Sequence, residues 1–113
     1  MTLRIQRCDS PRELMVGGEL DIATVPELRR VLGTISSAGD VTLDLSFLRF
    51  SDEAGLQLLF STAERLEGSL ILRSPPETLV RLLNFLAPRA PKNVVIEVRK
   101  DGATRAKPGS ATA

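Results

Sequence analysis

Hydrophobic and polar positions alternate in several short stretches of this chain. Such alternation is typical of β-strands with one buried face, and it predicts strands over residues 3–7, 14–20, 41–46, 70–73 and 94–98. Between these stretches, apolar residues recur every three or four positions, which predicts helices that begin near Thr24, Glu53 and Ser74. Strands that alternate with helices indicate an α/β sheet with parallel pairs and right-handed crossovers. The strand over residues 41–46 is expected to be central.

The helix boundaries carry local signals of their own. Thr24-Val25-Pro26-Glu27 resembles a capping box, with Thr24 as N-cap and Glu27 three residues later. We expect this helix to bury a stripe that reaches Ile35 and to close through Gly39. Pro88 is expected to end the third helix.

Gly17 and Gly18 interrupt the second predicted strand. Glycines inside a strand mark a bulge or a close approach of another backbone. A strand irregularity is therefore the favoured interpretation, and contact with a partner is the alternative.

The segment from Val41 to Leu56 combines a strand, an acidic turn and the start of an apolar helix. The hydrophobic period changes there from two to about 3.6, which is the helical repeat. Asp52 and Glu53 suit the positive end of a helix dipole, and Asp52 is a candidate N-cap. Sites in open α/β sheets lie beyond the carboxyl ends of strands. The turn from Ser51 to Gly55 is therefore the candidate functional site.

Composition narrows the function classes. The chain has 113 residues, a net charge of +1, a single cysteine (Cys8), and no His, Tyr or Trp. Zinc sites and Ser-His or Cys-His nucleophile pairs lack their usual residues, so neither an enzyme nor a metal or other cofactor is expected. The balanced charge gives no nucleic-acid footprint. We find no secretory signal and no membrane-spanning run, and expect a cytoplasmic protein. One domain is expected over residues 1–99, with a disordered tail over 100–113.

The same turn carries a family resemblance. Phe50, Asp52, Gly55 and Leu56 match the Phe-x-Asp-Ser-(Ser/Ala)-Gly-Leu loop of the STAS domain, the fold of bacterial anti-sigma factor antagonists. The segment 16–21 resembles the family's Gly-Glu-Leu-Asp strand end, and residues 74–98 resemble its closing helix–strand unit. The resemblance implies an α/β, STAS-like fold with a mostly parallel or mixed sheet of about four to five strands and about three to four helices packed against it.

The resemblance also implies a function. It points to an anti-sigma factor antagonist that binds an anti-sigma protein with an ATP-binding, kinase-like fold and so releases a sigma factor. The partner-binding residues expected on this basis are Glu19, Asp21, Ser51, Asp52, Glu53, Ala54, Gly55, Leu56 and Leu58. Homodimerisation is left open, and a regulatory subunit that binds the ATPase of a lipid transporter is the alternative. Nucleotide binding ranks low, because no phosphate-cradling Gly-rich loop with Lys is present.

The position before Gly55 is the family's phosphorylation switch, and here it is Ala54. Alanine has no hydroxyl, so the usual switch cannot act on this residue. Ser51 is the nearest hydroxyl and is a weaker candidate. The chain is then either a constitutive antagonist or a member of a branch with a different partner. Two alternatives stay open. Asp52 is either a helix cap or a partner contact, or both, and Leu58 is either exposed to a partner or buried under a neighbouring helix.

Overall fold

A computed structural model describes the backbone of residues 2–100 and 102–106, and the side chains of residues 2–49 and 51–98. The strands are β1 (Leu3–Arg7), β2 (Glu13–Leu20), β3 (Val41–Asp44), β4 (Leu48–Ser51), β5 (Leu70–Arg73), β6 (Val94–Lys100) and β7 (Gly102–Ala106). The helices are α1 (Val25–Leu32), α2 (Glu53–Arg65) and α3 (Glu77–Phe85), and a short 3₁₀ turn follows at Ala87–Arg89.

These seven strands form one mixed sheet. The order is β1-β2-β3-β5-β6-β7, and β4 pairs with β2 beyond the end of β3. The pairs β2–β3, β2–β4, β3–β5 and β5–β6 are parallel, whereas the pairs β1–β2 and β6–β7 are antiparallel. The predicted α/β class is confirmed, and so is the central place of β3.

The helices pack against one face of the sheet. Alternate side chains of the strands, such as Leu14, Leu43 and Leu72, join helix residues such as Leu59 and Leu83 in a single buried cluster. Burying a leucine side chain contributes about 1.5–3 kcal/mol, so this cluster is the main source of stability. The opposite face, here called the second face, carries half-buried residues that include Met15, Thr42, Asp44 and Arg73.

An ion-pair network lies on the second face. Arg73 donates hydrogen bonds to Glu97 at 2.8 Å and to Glu13 at 2.7 Å. The hydrogen bond that Arg73 donates to Glu97, together with the hydrogen bond and charge of Glu13, raises the pKa of Arg73 despite its partial burial. Glu97 is only 7% exposed, and the ion pair with Arg73 stabilises its buried charge.

Gly18 marks a bulge in β2, as predicted. Its φ is +90°, and the register with β4 shifts between Gly18 and Glu19. A Cβ atom at Gly18 would strike the Thr2 carbonyl oxygen, so the neighbouring backbone also comes close. Glycine satisfies both conditions at once.

Several predicted boundaries are wrong. Helix α1 ends at Leu32 with Gly33 as its C-cap, not at Gly39, and buried Ile35 lies beyond the helix. The third strand, predicted over residues 41–46, ends at Asp44, because the chain turns where the Leu48 N–H donates to the Leu45 carbonyl, and the strand β4 that follows was not predicted.

The predicted disordered tail falls partly within the described chain. The backbone at Gly102–Ala106 pairs with β6 there, where a disordered segment is expected from the sequence. Residues 107–113 lie outside the described residues, so the prediction for them stays a prediction.

Candidate functional site

Asp52 caps α2. Its backbone is extended, with φ −100° and ψ −173°, and its carboxylate accepts a hydrogen bond from the Gly55 N–H at 3.1 Å. The Asp52 carbonyl accepts a second bond, from the Leu56 N–H. This is the N-cap geometry predicted from the sequence, and it satisfies donors that the first turn of a helix leaves unpaired. Glu53, the next residue, is exposed beside this positive helix end.

Gly55 permits close packing of α2 on the sheet. A Cβ atom at this position would lie 2.6 Å from the Ser51 Oγ and 2.8 Å from the Leu20 Cγ. Real Cβ atoms do not approach other atoms so closely, so any larger residue would push the helix away from β2. The geometry therefore gives Gly55 a role in the close approach of helix and sheet.

Ser51 is buried, with only 5% of its surface exposed. Its hydroxyl donates a long hydrogen bond of 3.4 Å to the Asp52 carbonyl and lies under the first turn of α2. A kinase could reach this hydroxyl only if the turn opened. The structure therefore gives Ser51 a packing role.

Asp21 stabilises the turn between β2 and α1. It is 5% exposed, and its carboxylate accepts hydrogen bonds from the N–H groups of Ala23 at 3.0 Å and Thr24 at 3.1 Å. The Thr24 hydroxyl bonds back to the strand end, to the Asp21 N–H and the Glu19 carbonyl. Thr24 makes no side-chain cap bond to α1, so the predicted capping box at Glu27 is wrong.

Glu19 points away from the turn. Its carboxylate lies 3.7 Å from the Arg49 guanidinium, on the second face of the sheet. The structure therefore does not bring Glu19 together with Asp52 and Ala54. Because Asp21 is buried, the acidic side chains that remain accessible at the turn are half-buried Asp52 and exposed Glu53.

The leucines of α2 are core residues. Leu56 is fully buried, and Leu58 is only 4% exposed. A helical wheel places these two side chains on nearly opposite faces, but α2 lies between α1 and α3 and is covered on both flanks. Burial is thus the correct one of the two interpretations left open for Leu58.

A groove opens between α1 and the start of α2. This α1–α2 groove has a volume of about 510 Å³ and is lined by Ile22, Val25, Pro26, Arg29, Ala54, Gln57, Leu58 and Ser61. Ile22 is 77% exposed at its rim, an unusual state for an isoleucine. Ala54 is half-buried in the same groove.

The sequence analysis does not predict Ile22 as a site residue, although Ile22 directly follows Asp21, which is an expected partner-binding residue. The only signal was an isolated apolar residue in a loop at the carboxyl end of a strand. The groove is also less acidic than expected, because its charged lining residue is Arg29. Its lining combines apolar residues with the polar Gln57 and Ser61 and one cation.

In the described part of the chain, no helix is long and apolar enough to cross a membrane. Within the same residues, no cluster of three or more metal-ligating side chains is present.

A mixed sheet with helices on one face, and a capped turn that leads into the central helix, defines an α/β domain with an exposed groove beside that turn. A family model described as "Mlab, STAS domain" matches residues 3–87. An anti-sigma-B factor antagonist of Staphylococcus epidermidis is 43% identical over 78 residues, which are 65% of this chain and 72% of the relative. The anti-sigma-B factor antagonist of Staphylococcus aureus strain NCTC 8325 is 41% identical over 56 residues, or 48% and 52% of the two chains. The chain belongs to the STAS domain family.

Proposed function

We propose that this protein is an anti-sigma factor antagonist, which binds an anti-sigma protein and so frees a sigma factor. The observation that carries the proposal is the 43% identity, over 72% of its length, to a relative named anti-sigma-B factor antagonist. Because such a partner acts on the transcription machinery, we propose a cytoplasmic location. The proposed partner is an anti-sigma factor with an ATP-binding, kinase-like fold.

The α1–α2 groove is the proposed docking surface. Ile22 supplies an exposed apolar anchor, and Pro26 and Ala54 extend the apolar area beside it. Interfaces draw most of their affinity from a few apolar or arginine anchors that lose water on binding. Gln57 and Arg29 line the same groove and can hydrogen-bond to the partner around this anchor. Gly55, Leu56 and Leu58 act indirectly, by holding α2 in place.

Ala54 makes the proposed complex independent of phosphorylation at the switch position. It lies in the groove, where a phosphate would add nearly two negative charges. Without a hydroxyl there, a kinase-like partner cannot release itself by modifying this residue. We therefore propose constitutive binding, controlled by the amount or the state of the partner.

The first test uses the full chain to retain proteins from a lysate of the source cell, with identification by mass spectrometry. The parent should retain a kinase-like anti-sigma protein, and Ile22→Asp should lose it. Phe85→Asp is the matched control, because Phe85 is an exposed apolar residue on α3. Retention of a transporter ATPase in place of the anti-sigma protein would support the lipid-transport alternative and refute the antagonist proposal.

A second test adds one charge to the groove. Ala54→Asp should weaken partner binding about tenfold or more, which corresponds to at least about 1.4 kcal/mol, because a carboxylate would be buried in an apolar interface. Folding stability should not fall, because a negative charge near a helix N-terminus is favourable by about 0.3–1 kcal/mol.

Ala54→Asn is the control, since it adds similar volume without charge. Calorimetric titration against the purified partner measures the affinities. If the parent and Ala54→Asp bound the partner with equal affinity, this turn would not be part of the interface.

A further inference from the structure

Phe47 presents an exposed aromatic ring on the second face of the sheet. It is 66% exposed, in the turn between β3 and β4. Its carbonyl accepts a hydrogen bond from the Gly18 N–H at 3.0 Å, and the Leu48 N–H bonds to the Leu45 carbonyl at 3.0 Å. Just before Phe47, the Asp44 carboxylate accepts a hydrogen bond from the Ser46 N–H. The backbone of this turn is held in place while the ring remains in solvent.

Gly17 allows the turn to lie directly on β2. A Cβ atom at Gly17 would come within 3.1 Å of the Phe47 Cβ and 3.3 Å of its carbonyl oxygen. A larger residue would push the turn outward. This close contact between the turn and β2 fixes the backbone of Phe47. Binding through the exposed Phe47 side chain therefore costs less conformational entropy.

Phe47 forms one wall of a groove, here called the Phe47 groove. Its volume is about 550 Å³, and its lining residues are Thr2, Arg4, Met15, Gly17, Gly18, Phe47 and Arg49. The floor contains glycines and the apolar Met15, and the two arginines supply its charge.

The arginines give this groove a surplus of positive charge. Within the described part of the chain, Arg4 makes no ion pair. Arg49 is 73% exposed and lies 3.7 Å from Glu19, a solvent-screened contact that contributes little. Asp44 is already bonded to Ser46. An acidic group can therefore bind here without displacing a strong internal pair.

We propose that the Phe47 groove is a second docking site, for a peptide segment of a partner protein that carries an aromatic or aliphatic side chain next to Asp or Glu. The apolar side chain would pack on Phe47 and Met15, and the carboxylate would bind the arginines, which match its geometry.

The shape and the charge of the groove favour a peptide over other occupants. A concave floor that contains glycines accepts an extended chain segment. A second copy would bring the same positive surplus across a two-fold axis and be repelled. The site is separate from the proposed anti-sigma surface, because the Phe47 groove lies on the second face and the α1–α2 groove lies among the helices.

The test begins with a random peptide library displayed on phage, selected on the parent protein after depletion on Phe47→Ser. The enriched sequences should contain an apolar residue next to Asp or Glu. A synthetic peptide of the consensus sequence is then titrated by fluorescence anisotropy. Its affinity should fall about tenfold or more with Phe47→Ser or Arg4→Glu, and it should weaken as salt is added.

Matched controls are Phe85→Ser and Arg89→Glu, which change exposed residues elsewhere on the chain and should leave the affinity unchanged. Ile22→Asp should also leave peptide binding intact, so this test and the anti-sigma test fail independently. The proposal is overturned if no peptide is enriched by the parent, or if the enriched peptides are basic or uncharged. It is likewise overturned if Phe47 instead controls dimerisation in sedimentation velocity, or binding to phosphatidylglycerol vesicles without peptide binding.

Discussion

Gly55→Ala tests the closest contact between α2 and the sheet. The new methyl group would lie 2.6 Å from the Ser51 Oγ, and 2.8 Å and 3.0 Å from two carbons of Leu20. Overpacking of this kind costs about 1–3 kcal/mol, and two buried side chains would have to move together, which favours the upper part of that range. The higher helix propensity of alanine returns about 1 kcal/mol. The expected net loss of folding stability is therefore about 1–2 kcal/mol.

Gly33→Ala is the matched control. Gly33 has φ −66°, and a Cβ there would lie 3.4 Å from the Arg29 carbonyl oxygen, its nearest neighbour beyond the adjacent residues, which is an ordinary contact. This substitution should leave stability unchanged or raise it by about 0.4–1 kcal/mol. A Ser51→Ala change made together with Gly55→Ala should recover part of the loss, because the shortest contact is removed.

Urea unfolding followed by circular dichroism at the helix band suits this protein, because it has no Trp or Tyr for fluorescence. A loss of 1 kcal/mol lowers the melting temperature by about 4–8 °C in a domain of this size. If Gly55→Ala were as stable as the parent while Gly33→Ala behaved as expected, the argument from close packing would be wrong.

Further predictions concern single interactions. Asp52→Ala should cost about 1 kcal/mol in urea unfolding, because the Gly55 N–H loses its cap; equal stability would contradict the capping role. Arg73→Met should lower the free energy of unfolding by about 1.5–3 kcal/mol, because Glu97 loses its charge-assisted hydrogen bond with this arginine, and adding Glu97→Gln should recover part of that loss in the same assay. Iodoacetamide should alkylate Cys8 more slowly than a free thiol at pH 8, because partial burial and nearby carboxylates raise the pKa of its thiol and reduce the thiolate; alkylation at the free-thiol rate would refute this.

Local patterns predicted the elements well where each pattern was uninterrupted. Strand β5 spans Leu70–Arg73 as expected, and the cap at Asp52 follows from residue type and position alone. Strand β3 ends two residues before its predicted end, because alternation continues through Leu45 while the backbone turns, and β4 was not predicted. Periodicity records burial and does not record where a hydrogen-bond ladder stops.

The candidate site was harder to predict, because exposure is decided by tertiary neighbours. Leu58 is buried by the helices that flank α2, and Asp21 is drawn inward by the N–H groups of its own turn. Ile22 and Phe47 show the opposite effect, since each is an apolar residue that the fold leaves exposed to solvent. Apart from the position of Ile22 in a loop, nothing in the sequence separates these two residues from ordinary core positions.

Strand β2 has a consequence for how this molecule opens. It pairs with β1 along one edge and with β3 and then β4 along the other, so it is bonded to three strands. Each amide hydrogen of β2 points to one neighbour, so the amides that bond to the edge strand β1 can exchange when β1 detaches, whereas those that bond toward β3 and β4 exchange only when the interior of the sheet opens. The slowest-exchanging amides of β2 therefore report the free energy of global unfolding, while the strands at the edges of the sheet report only local opening.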